Sequence, residues 1–297
     1  MECKIVKEAF VNYANTFNRY MEHTRATRAK AVPSGLFEAM EYSLSVGGKR
    51  LRPVLCMASA ASNGLKAEQV LPMALGLEMF HTATLIHDDM PCMDNDVLRR
   101  GMPSCHAKFG ETMALLAGDT LFFEAFEWPL YNLDLPVQNV LSAIKIFTKA
   151  CGASGVMAGQ ALDIFKEGAD GDPNFVGKIA ARKTGDLISA AVTTGVALAG
   201  ADAEKFKCYE DYSRQLGLAF QIVDDILDVV GTKEELGKTI GKDAEEGKLT
   251  HVTAYGLDKA RQMAEEASLK AREIISRFEE PNSFLSLLPE YLVDRTR

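Results

Sequence analysis

The sequence predicts an all-α fold, one domain over residues 1–297 in which ten or so helices surround a central cavity. Three observations predict it. Long apolar runs recur at helical spacing, above all over residues 71–87 and 215–230. No segment shows convincing period-2 alternation, a hairpin dipeptide pair or a βα alternation. No internal repeat or Pro/Ser-rich linker divides the 297 residues.

Residues 1–30 carry a helical pattern that ends in the basic, polar run HTRATRAK. A second helix follows over 36–46, with Ser34 as its N-cap candidate and Gly47 and Gly48 as its stop. The next stretch, SVGGKRLRPVL, gathers Lys49, Arg50 and Arg52 around a glycine turn. Glycine allows close backbone approach and basic side chains suit a diphosphate, although a helix C-cap followed by solvated bases explains this stretch alone equally well. After an Asn63-Gly64 turn, residues 71–87 read as a helix buried on most sides, ended or kinked by Pro91. Residues 111–130 form an apolar helical run broken at Pro129, and 137–167 a glycine-punctuated helix interrupted by Gln160 and Asp163. Residues 175–200 read as one helix with Lys183-Thr184-Gly185 in its middle, an odd place for a lysine among Ile179, Ala180, Leu187 and Ile188. The helix over 215–230 stops at Gly231, and a charged, glycine-rich loop with lysines at 233, 238, 242 and 248 follows. A loop of that length beside an acidic site suits a lid. Two helices, over 250–278 and from 283 onward, complete the chain.

Composition narrows the function. The apolar fraction of 47% supports a sizeable core, and a net charge of −8 with a pI near 5.3 argues against a general nucleic-acid or anionic-membrane surface. Six cysteines without C-x-x-C spacing read as reduced thiols. The N-terminus MECKIVKEAF lacks the marks of a targeting segment, and the longest uncharged stretch, 187–201, is too short and too polar for a membrane span. The expectation is a soluble cytoplasmic protein without an integral membrane segment or a nucleic-acid partner.

The chemistry concentrates in residues 80–101, FHTATLIHDDMPCMDNDVLRRG, where Asp88, Asp89, Asp94 and Asp96 crowd the end of an apolar helix. Desolvated carboxylates cost several kcal/mol each unless a cation or a donor compensates them. A solvated acidic helix end is the bland alternative, but the chain repeats the device in QLGLAFQIVDDILDVV. There Asp224 and Asp228 stand at i and i+4, with Gln221 and Gly217 continuing the stripe. Two such clusters facing one cavity suit Mg²⁺, which takes oxygen ligands from carboxylates and substrate phosphates. No Ser or Cys stands beside a His and an orienting acid, and there is no P-loop or dinucleotide fingerprint. The ligand that fits is anionic at one end and greasy at the other, with a diphosphate as leaving group.

GGKRLRP, LIHDDMPCMDNDVLRRG, KTG, FQIVDDILD and GKD occur in the order of the trans-isoprenyl diphosphate synthases, the polyprenyl synthetase family, and the chain resembles that family along nearly its whole length. The resemblance implies an Mg²⁺-dependent condensation of isopentenyl diphosphate with dimethylallyl, geranyl or farnesyl diphosphate by ionisation, attack and proton loss, in a homodimer. It implies that Asp88 and Asp94, supported by Asp89, form a first aspartate-rich motif, that Asp224 with Asp225 and Asp228 forms a second, and that three Mg²⁺ sit between them. Arg99, Lys183 and Lys242 are similar to contacts to the allylic diphosphate, and Lys49, Arg52, His81 and Arg100 to the isopentenyl diphosphate site. Thr184 and Gln221 correspond to groups whose oxygens face the allylic cation.

Product length turns on the helix before Asp88. In related enzymes the position five residues before it is the floor of the product tunnel; here it is Ala83, with Thr84 beside it and Phe80 about one turn deeper, roughly 5 Å. That favours geranylgeranyl diphosphate. Farnesyl diphosphate is the alternative if Phe122 or Phe123 from a neighbouring helix closes the tunnel earlier. A class I terpene cyclase and a non-catalytic synthase subunit are rival expectations, opposed by the Gly47-Gly48-Lys49 site and by two intact aspartate motifs. The chain departs from the family pattern at Val97, Met102 and His251, where an acid, a lysine and a tyrosine are common.

Overall fold

The structure is a computed structural model that describes residues 2–30, 32–131, 134–165, 172, 174–231 and 248–294. Among the described residues it is all-α apart from one small hairpin. Helix α1 (Glu2–Ala29) lays Val6, Phe17 and Met21 on the core. In α2 (Ser34–Ser45), Ser34 lies inside the first turn and makes no capping bond; Pro33, whose ring presets φ, stands at the N-cap. Arg50, at φ 51°, caps α3 (Leu51–Ser62) in a left-handed conformation. Its guanidinium holds that strained backbone in place by donating to Glu78 Oε1 and to the Leu44 carbonyl, both at 2.7 Å. A 3-10 turn (Ala67–Val70) leads into α4 (Leu71–Asp88), the central acidic helix.

The hairpin was not legible in the sequence. β1 (Leu98–Arg99) pairs antiparallel with β2 (Met102–Pro103), and the turn residues Arg100 and Gly101 both have positive φ, 54° and 76°. Strands of two residues give no periodicity, and arginine is not a customary left-handed residue, so the usual Asn-Gly or Asp-Gly cue is missing.

Next come α5 (Cys105–Phe109), α6 (Glu111–Glu127) and a 3-10 turn (Trp128–Tyr131) that holds Pro129. The expected helix over 137–167 is two helices, α7 (Val137–Cys151) and α8 (Val156–Phe165). At the break the chain folds so tightly that a Cβ on Gly155 would lie 1.9 Å from the Ala150 carbonyl oxygen. By length and apolarity alone Val137–Phe165 could be taken for a membrane span, yet this break divides it. The expected helix over 175–200 is also interrupted: α9 (Phe175–Ala180) passes through a π turn (Ala181–Gly185) into α10 (Asp186–Leu198). Helix α11 (Ala203–Val230) is capped by Asp202, which accepts from the Lys205 N–H at 2.8 Å. The chain ends in α12 (His251–Tyr255), α13 (Leu257–Ile275) and α14 (Phe284–Val293).

Helix α4 packs on α3 and α6, α10 on α3, α7 and α11, and α11 on α13. Leu75, Leu77, Met79 and Phe80 of α4 are fully or almost fully buried, each contributing roughly 1.5–3 kcal/mol. An acidic pair at the end of a helix so enclosed cannot simply turn to bulk water. That position makes the site.

Candidate active site

Three cavities meet where α3, α4, α8, the π turn and α11 converge. The first, about 230 Å³, is lined by Asp88, Asp94, Arg99, Asp163, Lys183, Gln221, Asp225 and Lys248 among others. The second, about 460 Å³, is basic: Lys49, Arg52, His81 and Arg100 line it with Glu78, Thr184 and Asp224. The third, about 440 Å³, is mostly apolar, with Thr84, Leu85, Leu115, Phe122, Val156 and Met157 in its wall. Asp88 and Lys183 border the first and third cavities, and Arg52, His81 and Thr184 the second and third. A molecule with a charged head and a greasy tail has room for both.

Successive residues on a helix project about 100° apart, so the two members of an Asp-Asp pair cannot both face the same space. Asp88 faces the cavities and accepts from Gln160 Nε2 at 2.7 Å. Its carboxyl is pushed up to about 6, first by burial and further by Asp94 and Asp89, against the pull of Lys183 and Arg99. Asp89 turns inward, where it is 2% exposed and binds Arg99 with both oxygens, Nε lying 2.9 and 3.1 Å away. Asp94 is tied back through its N–H to the Asp88 carbonyl at 2.8 Å, and its carboxylate lies 3.8 Å from Lys248 Nζ.

In α11 the partition differs from the expected Asp224/Asp228 stripe. Asp224 opens on the basic cavity and Asp228 is buried. Asp225, expected among the metal ligands, lines the first cavity and is also held by three protein donors. Its Oδ2 accepts from the His251 backbone N–H at 2.8 Å and lies 2.7 Å from His251 Nδ1, while its Oδ1 accepts from Gln221 Nε2 at 2.8 Å.

The π turn explains the misplaced lysine. A π turn inserts one residue and swings side chains off the helical register, which carries Lys183 and Thr184 into the cavities. Two neighbours must be glycine for it to fit. A Cβ on Gly159 would stand 2.1 Å from the Lys183 nitrogen, and one on Gly217 would stand 3.0 Å from Gly185 Cα. Lys183 Nζ donates to Asp163 Oδ2 at 2.5 Å.

The basic cavity sorts the three bases of the GGKR stretch. Arg50 is consumed by Glu78, whereas Lys49 and Arg52 line the cavity, and the buried Arg52 Nε has no hydrogen-bond partner among the described residues. Arg100 donates to the Gly47 carbonyl, and its guanidinium lies where a Gly48 side chain would stand, 2.6 Å from an added Cβ. His81 is held neutral, well below its ordinary range, first by burial and then by Arg52, Arg100, Arg99 and Arg50.

The tail cavity corrects the expected floor. Ala83 is fully buried in the core, and α4 contributes Thr84 and Leu85 to the cavity wall together with His81, His87 and Asp88. Phe80 does not form the first barrier: Phe122 does, with Phe80 packed behind it at a ring separation of 5.0 Å. Phe123 is 80% exposed and takes no part. Lys242 and most of the expected lid loop lie outside the described residues. The sequence showed Gln160 and Asp163 only as interruptions of a helix and Lys248 only as one lysine of a charged loop, yet each holds or faces a first-cavity group. Their spacing to those partners, 72 residues for Gln160 and Asp88, leaves no local signal.

Among the described residues no three carboxylate, imidazole or thiol groups converge closely enough to hold a metal by themselves. The oxygen-only donors of Asp88, Asp94 and Asp224, with Asp88 made costly by burial, nevertheless fit Mg²⁺ that completes its shell from water and substrate phosphate.

The sequence model for "polyprenyl synthetase" matches residues 33–285. The chain is 39% identical over 295 residues to a dimethylallyltranstransferase of Fischerella ambigua (strain UTEX 1903), covering 97% of this chain and 85% of that protein. It is 40% identical over 275 residues to a geranylgeranyl diphosphate synthase of Cyanophora paradoxa, covering 91% and 92%. Its fold matches that of geranylgeranyl pyrophosphate synthetase from Pyrococcus horikoshii with a TM-score of 0.86 at 27% identity, over 97% and 99% of the two chains. By sequence and fold together, this chain belongs to the polyprenyl synthetase family, the trans-isoprenyl diphosphate synthases, and is a prenyltransferase.

Proposed function

We propose that this single-domain chain is a cytoplasmic homodimer that condenses isopentenyl diphosphate with dimethylallyl, geranyl and farnesyl diphosphates and releases geranylgeranyl diphosphate. The observation that carries the reading is the meeting of an acidic, a basic and an apolar cavity at Asp88, Lys183, Arg52, His81 and Thr184. The 40% identity to a geranylgeranyl diphosphate synthase supports the product. Phe122 in the tail wall favours farnesyl diphosphate as the second reading. Solvent-exposed Leu116 and Phe123 on α6 support association, and six free cysteines support a reducing compartment.

In the reaction the allylic carbon–oxygen bond breaks, the isopentenyl double bond supplies the electron pair for the new carbon–carbon bond, and a proton leaves to the released diphosphate. Arg99 and Lys183, with Lys242, bind the leaving diphosphate, and Lys49, Arg52 and Arg100 bind the second. Neutral His81 can donate one hydrogen bond there without adding a fourth charge. Asp88, Asp94 and Asp224 would hold Mg²⁺, which when bound neutralises the charge that develops on the leaving group. The amide oxygen of Gln221 and the hydroxyl of Thr184 face the allylic cation, and Leu85, Val156 and Met157 keep water from it.

The test is incubation of the purified protein with Mg²⁺, isopentenyl diphosphate and each allylic primer in turn, with products identified by mass. Farnesyl diphosphate should yield a twenty-carbon product. Arrest at fifteen carbons would transfer the assignment to farnesyl diphosphate, and no condensation with any primer would overturn the prenyltransfer reading. Light scattering should return twice the monomer mass.

A further inference from the structure

A carboxylate accepts hydrogen bonds and donates none, so whatever faces Asp225 must present a donor. Three donors do so: the His251 backbone N–H, the His251 imidazole and the Gln221 side-chain amide. The arrangement is enclosed, with Asp225 5% and His251 1% exposed. It decides which end of the Gln221 amide faces the cavity. With its NH₂ turned to Asp225 Oδ1, the amide must point its carbonyl oxygen the other way, into the cavity that Asp88 and Lys183 line. The reverse orientation would aim N–H donors at a developing cation and set one carbonyl oxygen against a carboxylate.

We infer that His251 is a positioning residue: it fixes the Asp225 carboxylate, and through it the orientation in which Gln221 offers an oxygen to the reacting carbon. This rests on the prenyltransfer reading and departs from the expected assignment of Asp225 to a metal. His251 also stands at the start of α12, where the chain returns to the site at Lys248 and Thr250, so the same contact staples that return to α11. His251 Nε2 is buried with no hydrogen-bond partner among the described residues, and the ring's contact with Asp225 is through Nδ1. Because the backbone N–H remains in any variant, removing the imidazole withdraws one of three donors and leaves Asp225 otherwise anchored.

The experiment compares His251→Phe, His251→Asn and Gln221→Leu. His251→Phe should lower kcat about tenfold while the KM for both diphosphates stays within about threefold, the worth of one hydrogen bond to a charged acceptor. His251→Asn, whose amide can donate from nearly the Nδ1 position, should recover most of the loss. In a Gln221→Leu background His251→Phe should cost no further activity. In protein carrying ¹⁵N-glutamine, the Gln221 side-chain signal, identified by its absence in Gln221→Leu, should shift in His251→Phe and return in His251→Asn. His251→Leu takes the place of His251→Phe if the latter does not fold. Unchanged kcat in His251→Phe, an undiminished loss in the Gln221→Leu background, or a Gln221 signal indifferent to residue 251 would each overturn the inference. If the wild type condenses no primer, the prenyltransfer reading fails, and the amide signal still decides the positioning role.

Discussion

Helices α4 and α11 carry the same device, an Asp-Asp pair in an apolar helix, and put it to different use. In both, the angular step of the helix separates the two carboxylates: Asp88 faces the cavities and Asp89 turns inward, whereas Asp224 opens on the basic cavity and Asp225 on the first. Asp89 is bound by a cation, Arg99, whereas Asp225 is bound by His251 and Gln221. Helix α4 ends at its pair, so the carboxylates sit at a mouth, with Arg99 reaching back from β1. Helix α11 runs on to Val230, and its pair is braced from the side by the start of α12. Asp88 and Asp224 are therefore left to meet charge, while Asp225 orients a neutral group, Gln221, beside the site.

The largest effect should separate the members within each pair. Asp88→Asn and Asp224→Asn should each lower kcat/KM by at least about 100-fold, since each removes a carboxylate that would hold the Mg²⁺ neutralising the leaving group's charge. Asp225→Asn should cost about tenfold, through the lost orientation of Gln221. Steady-state kinetics decide it, and equal losses for Asp224→Asn and Asp225→Asn would erase the distinction between the two members of the α11 pair.

Helix α4 also carries the tail wall, which α11 does not. Thr84→Phe should shift the product spectrum to shorter chains with folding intact. Ala83→Phe should instead overpack the core and cost about 1–3 kcal/mol in denaturant unfolding. A clean shortening by Ala83→Phe at full stability would restore Ala83 as the floor.

A smaller effect lies in the metal-free protein. The Asp88 carboxyl is raised from 3.8 to about 6, so its contribution to stability is complete below pH 3.8 and is lost as pH rises through 6. Asp88→Asn should accordingly be more stable to unfolding than the wild type at pH 8, by on the order of 1–3 kcal/mol, with the gap closing near pH 4. Asp225→Asn, which disturbs three satisfied hydrogen bonds, should move the other way at pH 8. The smallest effect belongs to Gln160→Leu, which removes one donor from Asp88 and should lower kcat by about threefold to tenfold.

Helical periodicity was enough to place α1, α4 and most of α11, because burial on a helix leaves a repeating mark on the chain itself. The aspartate pairs, the glycine-flanked bases and the Lys-Thr-Gly triplet were legible for a similar reason: their chemistry is local and their residue types are costly elsewhere. Tertiary structure alone decided what each of those residues faces. The π turn that delivers Lys183 depends on glycines in two other helices, and the hairpin that holds Arg99 and Arg100 is too short to have a period. Gln160, Asp163 and His251 acquired their roles from partners 72, 20 and 26 residues away. Of the tail-wall residues the sequence put forward, Thr84 and the alternative Phe122 meet the cavity while Ala83 and Phe80 stand behind it, because a helix spaces its own side chains and the angle at which its neighbour packs decides which of them face inward.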